Sequence, residues 1–186
     1  MEHVVVAGAG LAGARTVEQL RRRGFDGRIT LLGEEEAAPY DRPPLSKDVL
    51  TGMRDDTTLR LDLDALDVAF RPGVRATGLH TDRRLIETSA GDVGYDGLVI
   101  ATGGHPVRLP GRGAQAVVRT AADALALRDR LVPGARVVIV GAGWIGAEVA
   151  TAALVRGCTV TAVECDSVPL GRVLGDEVGQ RLRSWW

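Results

Sequence analysis

Two stretches of the chain share one pattern of apolar and small residues. Val4 to Val17, "VVVAGAGLAGARTV", and Val137 to Ala150, "VVIVGAGWIGAEVA", each run apolar for four residues and then break into Gly-x-Gly-x-x-Gly. An unbroken apolar run of this length predicts a strand of a parallel sheet covered on both faces. The residues that follow predict helices over about Ala12 to Arg23 and Trp144 to Arg156. Gly24 stops the first helix, and "RITLLG" then forms a second strand that ends in Glu34; in the later copy "TVTAVE" does the same and ends in Glu164. Each copy therefore reads as a βαβ unit. Arg21, Arg22 and Arg23 fall in the last turn of the first helix, where cations complement its dipole.

Between the copies the pattern changes. "AAPYDRPPLS", residues 37–46, carries three prolines and predicts a stiff loop until "LSKDVL" starts a short helix. From Val68 to Leu98 the segments "DVAF", "VRATGLHT", "RRLIETS" and "GDVGYDG" alternate and are punctuated by Gly and Asp, which predicts antiparallel strands in a small inserted sheet. "LVIATGG" is a further buried strand. A polar connection leads to Arg119, and "TAADALALRDRL" predicts a helix ahead of the second copy; the closing "DEVGQRLRSWW" also reads as helical. The fold class expected is α/β: two Rossmann-like dinucleotide-binding βαβ units with a small inserted antiparallel β-sheet, the second unit incomplete. The expected domains are 1–115 and 116–186.

Composition narrows the class. Of 186 residues, 45% are hydrophobic and 25% charged, as in an ordinary globular protein, and the 24 glycines are spread through turns. With 23 basic against 24 acidic side chains, nothing draws the chain to nucleic acid or an anionic membrane. No apolar run is long enough for a membrane span, and the N-terminus lacks a signal peptide's basic start, so the expected location is cytoplasmic. Cys158 and Cys165 form neither a disulfide framework nor a metal site and read as small residues beside a strand.

Each glycine motif has a physical task. Gly8 permits a tight turn, Gly10 lets the backbone approach a pyrophosphate, and Gly13 allows the helix to close on the strand. The helix N-terminus then offers free N–H groups to phosphates, and Glu34 is placed for ribose hydroxyls. Gly141, Gly143, Gly146 and Glu164 repeat the set, so two dinucleotides are implied. Glu164 is followed by Cys165 and Asp166, with no arginine at the strand end for a 2′-phosphate, so the second site is expected to take NADH rather than NADPH.

In combination, "GAGLAG", "YDRPPLSK", "IATGG" and "GAGWIGAEVA" make the chain resemble, over its whole length, the FAD-dependent ferredoxin and rubredoxin reductases that supply electrons to oxygenases. The resemblance implies a flavoprotein that takes hydride from NADH onto FAD and passes single electrons to a ferredoxin or rubredoxin type iron-sulfur protein. It implies that Gly8, Gly10, Ala12 and Gly13 cradle FAD, with Glu34 on its ribose. Arg42, Lys47, Ala76, Ala101, Thr102 and Arg119 would also contact FAD. Lys47 would pair with Glu148 beside the flavin. Trp144 stands where relatives often carry a tyrosine that covers the flavin ring, so it is either a gate or a packing residue.

Two rivals remain. A pyridine nucleotide-disulphide reductase relative would relay electrons through a Cys-x4-Cys pair, yet "YDRPPLSK" stands where that pair belongs. Flavoproteins related to apoptosis-inducing factors that bind nucleic acid use basic surface, which is lacking here. A reading from another class is a truncated, catalytically inactive nucleotide-binding fragment of such a reductase, because the family's returning Gly-Asp segment and C-terminal domain are expected after the NADH-binding domain.

Overall fold

The computed structural model describes residues 1–185, and its chain divides into two compact units. The first comprises Met1–Asp41 and Thr57–His105; the second comprises Arg42–Asp56 and the chain from Pro106 onward.

In the first unit, strand β1 (His3–Ala7), helix α1 (Leu11–Arg22) and strand β2 (Arg28–Leu32) form the expected βαβ. With β3 (Val68–Arg71) and β7 (Gly97–Ile100) they give a sheet of order β3-β2-β1-β7, every pairing parallel. The reason for the continuous apolar run in β1 is plain from its surroundings. Val4 and Val6 pack with Val17 of α1, Ile29, Leu31 and Val68 on one face. Val5 faces the other way, against Leu32, Ile86 and Val93. Ile86 and Val93 belong to the antiparallel sheet of β4 (Ala76–His80), β5 (Leu85–Thr88) and β6 (Val93–Gly94), which thereby covers the second face.

"DVAF" departs from expectation, since it pairs in parallel with β2 rather than joining the antiparallel sheet. Alternation reports that one face is covered, and says nothing about the direction of the neighbouring strand.

In the second unit, the proline-rich stretch is more regular than the sequence suggests. Pro43–Ser46 form a 3-10 turn that leads into α2 (Asp48–Thr51), ended by Gly52 at φ 82°. Proline is tolerated there because the first N–H groups of a helix have no partner to lose. Helix α3 (Ala121–Arg130) starts with a capping box in which Thr120 and Asp123 each bond the other's backbone N–H. Strand β8 (Arg136–Val140), helix α4 (Trp144–Val155) and strand β9 (Thr159–Val163) follow, with β8 and β9 parallel.

Val49 and Leu50 of α2, Ala124 of α3, and Val149, Ala152 and Ala153 of α4 form the buried helical interior of this unit. Arg156 fastens it, donating from Nε to the Leu131 carbonyl at 2.7 Å and from Nη1 to the Thr51 carbonyl at 3.4 Å. The two-face burial expected of the second fingerprint strand is not met: Val138 is 66% exposed and Val140 57%. The closing segment is helical in pieces, α5 (Gly171–Leu174), α6 (Asp176–Leu182) and a 3-10 turn at Arg183–Trp185; its final residue, Trp186, lies outside the described residues. Among the described residues, no helix is long and apolar enough to cross a membrane.

Candidate functional site

The first glycine turn is packed against backbone at Gly8 and Gly13. Gly8 sits at φ 115°, a conformation open to glycine and strained for other residues. Its N–H donates to the Leu32 carbonyl at 2.9 Å. A Cβ on Gly8 would collide with the Ala101 carbonyl, and one on Gly13 with the Gly8 carbonyl. Gly10, by contrast, has nothing near its would-be Cβ, and it caps α1 without any side-chain hydrogen bond. The backbone at Gly10 is thus open to a close approach at the helix N-terminus, which fits a pyrophosphate. Ala101 and Thr102 follow β7 at this turn, Ala12 lies in the first turn of α1, and Ala76 begins β4. Glu34 lies two residues beyond β2, where its exposed carboxylate is 3.6 Å from Arg75.

The second turn has the same backbone, and its glutamate is engaged differently. Gly141 is at φ 103°, its N–H donates to the Val163 carbonyl at 2.8 Å, and a Cβ on Gly146 would collide with the Gly141 carbonyl. Gly143 caps α4, again without a side-chain bond. Glu164 reaches back into this turn. Its Oε2 accepts the Ala142 N–H at 2.6 Å, and its Oε1 accepts the N–H groups of Cys165 at 2.7 Å and Asp166 at 3.0 Å. Those donated bonds, led by the Asp166 and Ala142 N–H groups, hold the carboxyl down to about 2. A cleft of about 350 Å³ opens here, lined by Ala142, Trp144, Glu164, Asp166, Leu170 and Arg172 among others. Trp144 is half-exposed at its edge.

Lys47 and Glu148 are brought together. Lys47 occupies the break between the 3-10 turn and α2, and its Nζ lies 2.9 Å from Glu148 Oε1, while the Ser46 hydroxyl donates to Oε2. Burial pushes the Glu148 carboxyl up, but the bonds from Ser46 and Lys47 outweigh it and leave the group below its ordinary value. The side chains are 49% and 29% exposed, so the pair pays a smaller desolvation penalty than a fully buried one. Arg42 donates to the Arg119 carbonyl, and Arg119 donates its own N–H to Asp123 at 3.2 Å.

Three features lay beyond sequence reasoning. Ser46, whose place in "PPLS" carries no motif signal, shares Glu148 with Lys47. The bond from Arg42 to Arg119 spans 77 positions, with no local signal. Arg172 stands beside Glu164 and Asp166 although no arginine adjoins the strand end in sequence; only its spacing of six from Asp166 could have hinted at a returning turn.

Residues 2–184 match the family model described as pyridine nucleotide-disulphide oxidoreductase. The chain belongs to this family. Similar members include the benzene 1,2-dioxygenase system ferredoxin–NAD(+) reductase subunit of Pseudomonas putida, 41% identical over 97% of this chain and 46% of that protein. Putidaredoxin reductase of Pseudomonas putida is 35% identical over 95% of this chain and 45% of its own length. Among solved members, the crystal structure of Fdr9 superposes with a TM-score of 0.98 at 54% identity, covering 100% of this chain and 47% of that one. A putidaredoxin reductase–putidaredoxin complex gives a TM-score of 0.90 at 34% identity, covering 99% and 48%. The chain thus spans about half the length of the curated oxidoreductases it matches. The two cysteines of this family member, Cys158 and Cys165, are both free, one buried and one exposed.

Proposed function

We propose that the chain supplies the nucleotide-binding parts of a flavoprotein oxidoreductase that moves hydride from NADH to FAD and then single electrons to a ferredoxin or rubredoxin type iron-sulfur protein. Residues 1–115 would form the N-terminal part of the FAD-binding domain and residues 116–186 the first half of the NADH-binding domain. FAD, when bound, supplies the step from two-electron to one-electron transfer. Gly8, Gly10, Ala12 and Gly13 would hold its pyrophosphate, Glu34 its ribose, and Ala76, Ala101 and Thr102 would add backbone contacts. Arg42, Arg119 and Lys47 would add positive charge to the flavin nucleotide's surroundings. Gly141, Gly143, Gly146 and Glu164 would bind NADH, with Trp144 at the cleft edge either a gate over the flavin ring or a packing residue.

The observation that carries this reading is the Lys47 to Glu148 ion pair, which joins "YDRPPLSK" to the second fingerprint helix. It sets an ammonium from "YDRPPLSK", the stretch where a disulphide-relaying relative would need thiols, against the Glu148 carboxylate. The names of the relatives, reductases of ferredoxin and putidaredoxin, support the choice of acceptor. The near-zero net charge supports neither a nucleic acid nor a membrane partner. Free cysteines and a nicotinamide substrate suit a cytoplasmic setting.

The test is spectroscopic. Incubated with FAD and freed of excess, the chain should be yellow and should bleach on anaerobic addition of NADH, with a Lys47→Met variant bleaching about tenfold more slowly, a barrier change of about 1.4 kcal/mol. A chain that stays colourless favours the inactive-fragment reading, and one that holds FAD and ignores NADH overturns the hydride-transfer reading.

A further inference from the structure

The segment after β9 doubles back over the second glycine turn. Leu170, at φ 58°, donates its N–H to the Ala142 carbonyl at 3.2 Å, and Val168 is buried beneath it. This return carries Arg172 to Asp166, whose carboxylate it grips with two donors: Nε to Oδ2 at 2.6 Å and Nη2 to Oδ1 at 2.9 Å. Beside them Glu164 is fixed by three backbone N–H groups, and all three side chains line the same cleft.

We propose that Asp166 acts as a latch on Arg172 and thereby sets this cleft's preference for a nucleotide with a free 2′-hydroxyl over one with a 2′-phosphate. The inference rests on reading the cleft as the NADH site. A guanidinium can present a given pair of donors to one oxyanion at a time. While Asp166 occupies the Nε and Nη2 edge, Arg172 cannot offer that edge to a phosphate. The three side chains together carry one net negative charge, which disfavours a 2′-phosphate further. Glu164 can still accept a ribose hydroxyl, since its oxygens have lone-pair capacity beyond the backbone bonds. Removing the Asp166 carboxylate frees the fork and makes the local charge neutral. Specificity is then set by two acids acting differently: Glu164 attracts the hydroxyl, and Asp166 disarms a cation that would otherwise attract phosphate.

Calorimetric titration of the full chain with 5′-AMP and with 2′,5′-ADP tests this, since the two differ only in the 2′-phosphate. The wild-type chain should bind 5′-AMP at least tenfold more tightly. In Asp166→Asn the ratio should move by about tenfold toward 2′,5′-ADP, and adding Arg172→Gln should reverse that gain. Asp166→Ser should behave as Asp166→Asn does and reads the same ratio if the first variant folds poorly. Retained 5′-AMP binding with an unchanged ratio in either variant overturns the latch alone. A wild-type chain that binds neither nucleotide overturns the NADH-site reading and the latch with it.

Discussion

The turns at Gly8 and Gly141 are matched in backbone and mismatched in surroundings. Both glycines take a positive φ, both donate to the carbonyl that ends the neighbouring strand, and both lead into helices of 12 residues capped by glycine. Yet β1 is buried along its whole length between α1 and the antiparallel sheet, whereas β8, among the described residues, pairs with β9 alone and alternates between half-buried and exposed. A Cβ on Gly8 meets the backbone of Ala101 and Thr102; one on Gly141 meets nothing within 4 Å. The repeated sequence thus dictates the local path of the chain, and the neighbours dictate how much that path contributes to stability.

Substitutions at paired positions can sharpen this contrast. Gly8→Ala should be the most damaging, because it combines a strained φ with a backbone collision, costing about 3–5 kcal/mol. Gly141→Ala meets only the strain and should cost about 1–2 kcal/mol. Urea denaturation of the two variants reads the difference, and equal losses would break the contrast. Next comes Val6→Thr, which places a hydroxyl in a fully buried strand and should cost about 2 kcal/mol. Val138→Thr, on the exposed face of β8, should stay within about 0.5 kcal/mol of wild type.

A pH-dependent effect concerns the acid of the second turn. Glu164 is held down to about 2 from an ordinary 4.5, so its contribution is complete above pH 4.5 and is lost as the pH falls from 4.5 toward 2. The stability gap between wild type and Glu164→Gln should therefore shrink across that window. A gap that stayed constant from pH 6 to pH 2.5, followed by thermal melting, would mean that the bonds to Ala142, Cys165 and Asp166 do not stabilise the turn.

Much of the first βαβ was legible because strand, glycine turn and helix are each specified by residues close in sequence. The same holds for Thr159–Val163 and for α3, whose ends lie within one or two residues of expectation. The direction of β3 was not legible, since four alternating residues fit either neighbour. Nor was the bare face of β8, because Val137 to Val140 read as apolar whether or not anything covers them. At the site, the glycines and Glu164 could be named from spacing. The pairing of Lys47 with Glu148 came from resemblance to a family, and the fork of Arg172 on Asp166 only from the returning turn at Leu170.

Residues 42–56 leave the first unit between β2 and β3 and pack instead with α3 and α4. The chain consequently changes units three times, at 41/42, 56/57 and 105/106, so neither unit is a continuous stretch of polypeptide. No single cut can free either one. A graft of the second glycine turn into another protein that began at Pro106 would leave behind Ser46, Lys47 and the apolar residues Val49 and Leu50. The transplantable module is therefore two segments of chain, and a recombination that respects it needs three crossover points rather than one.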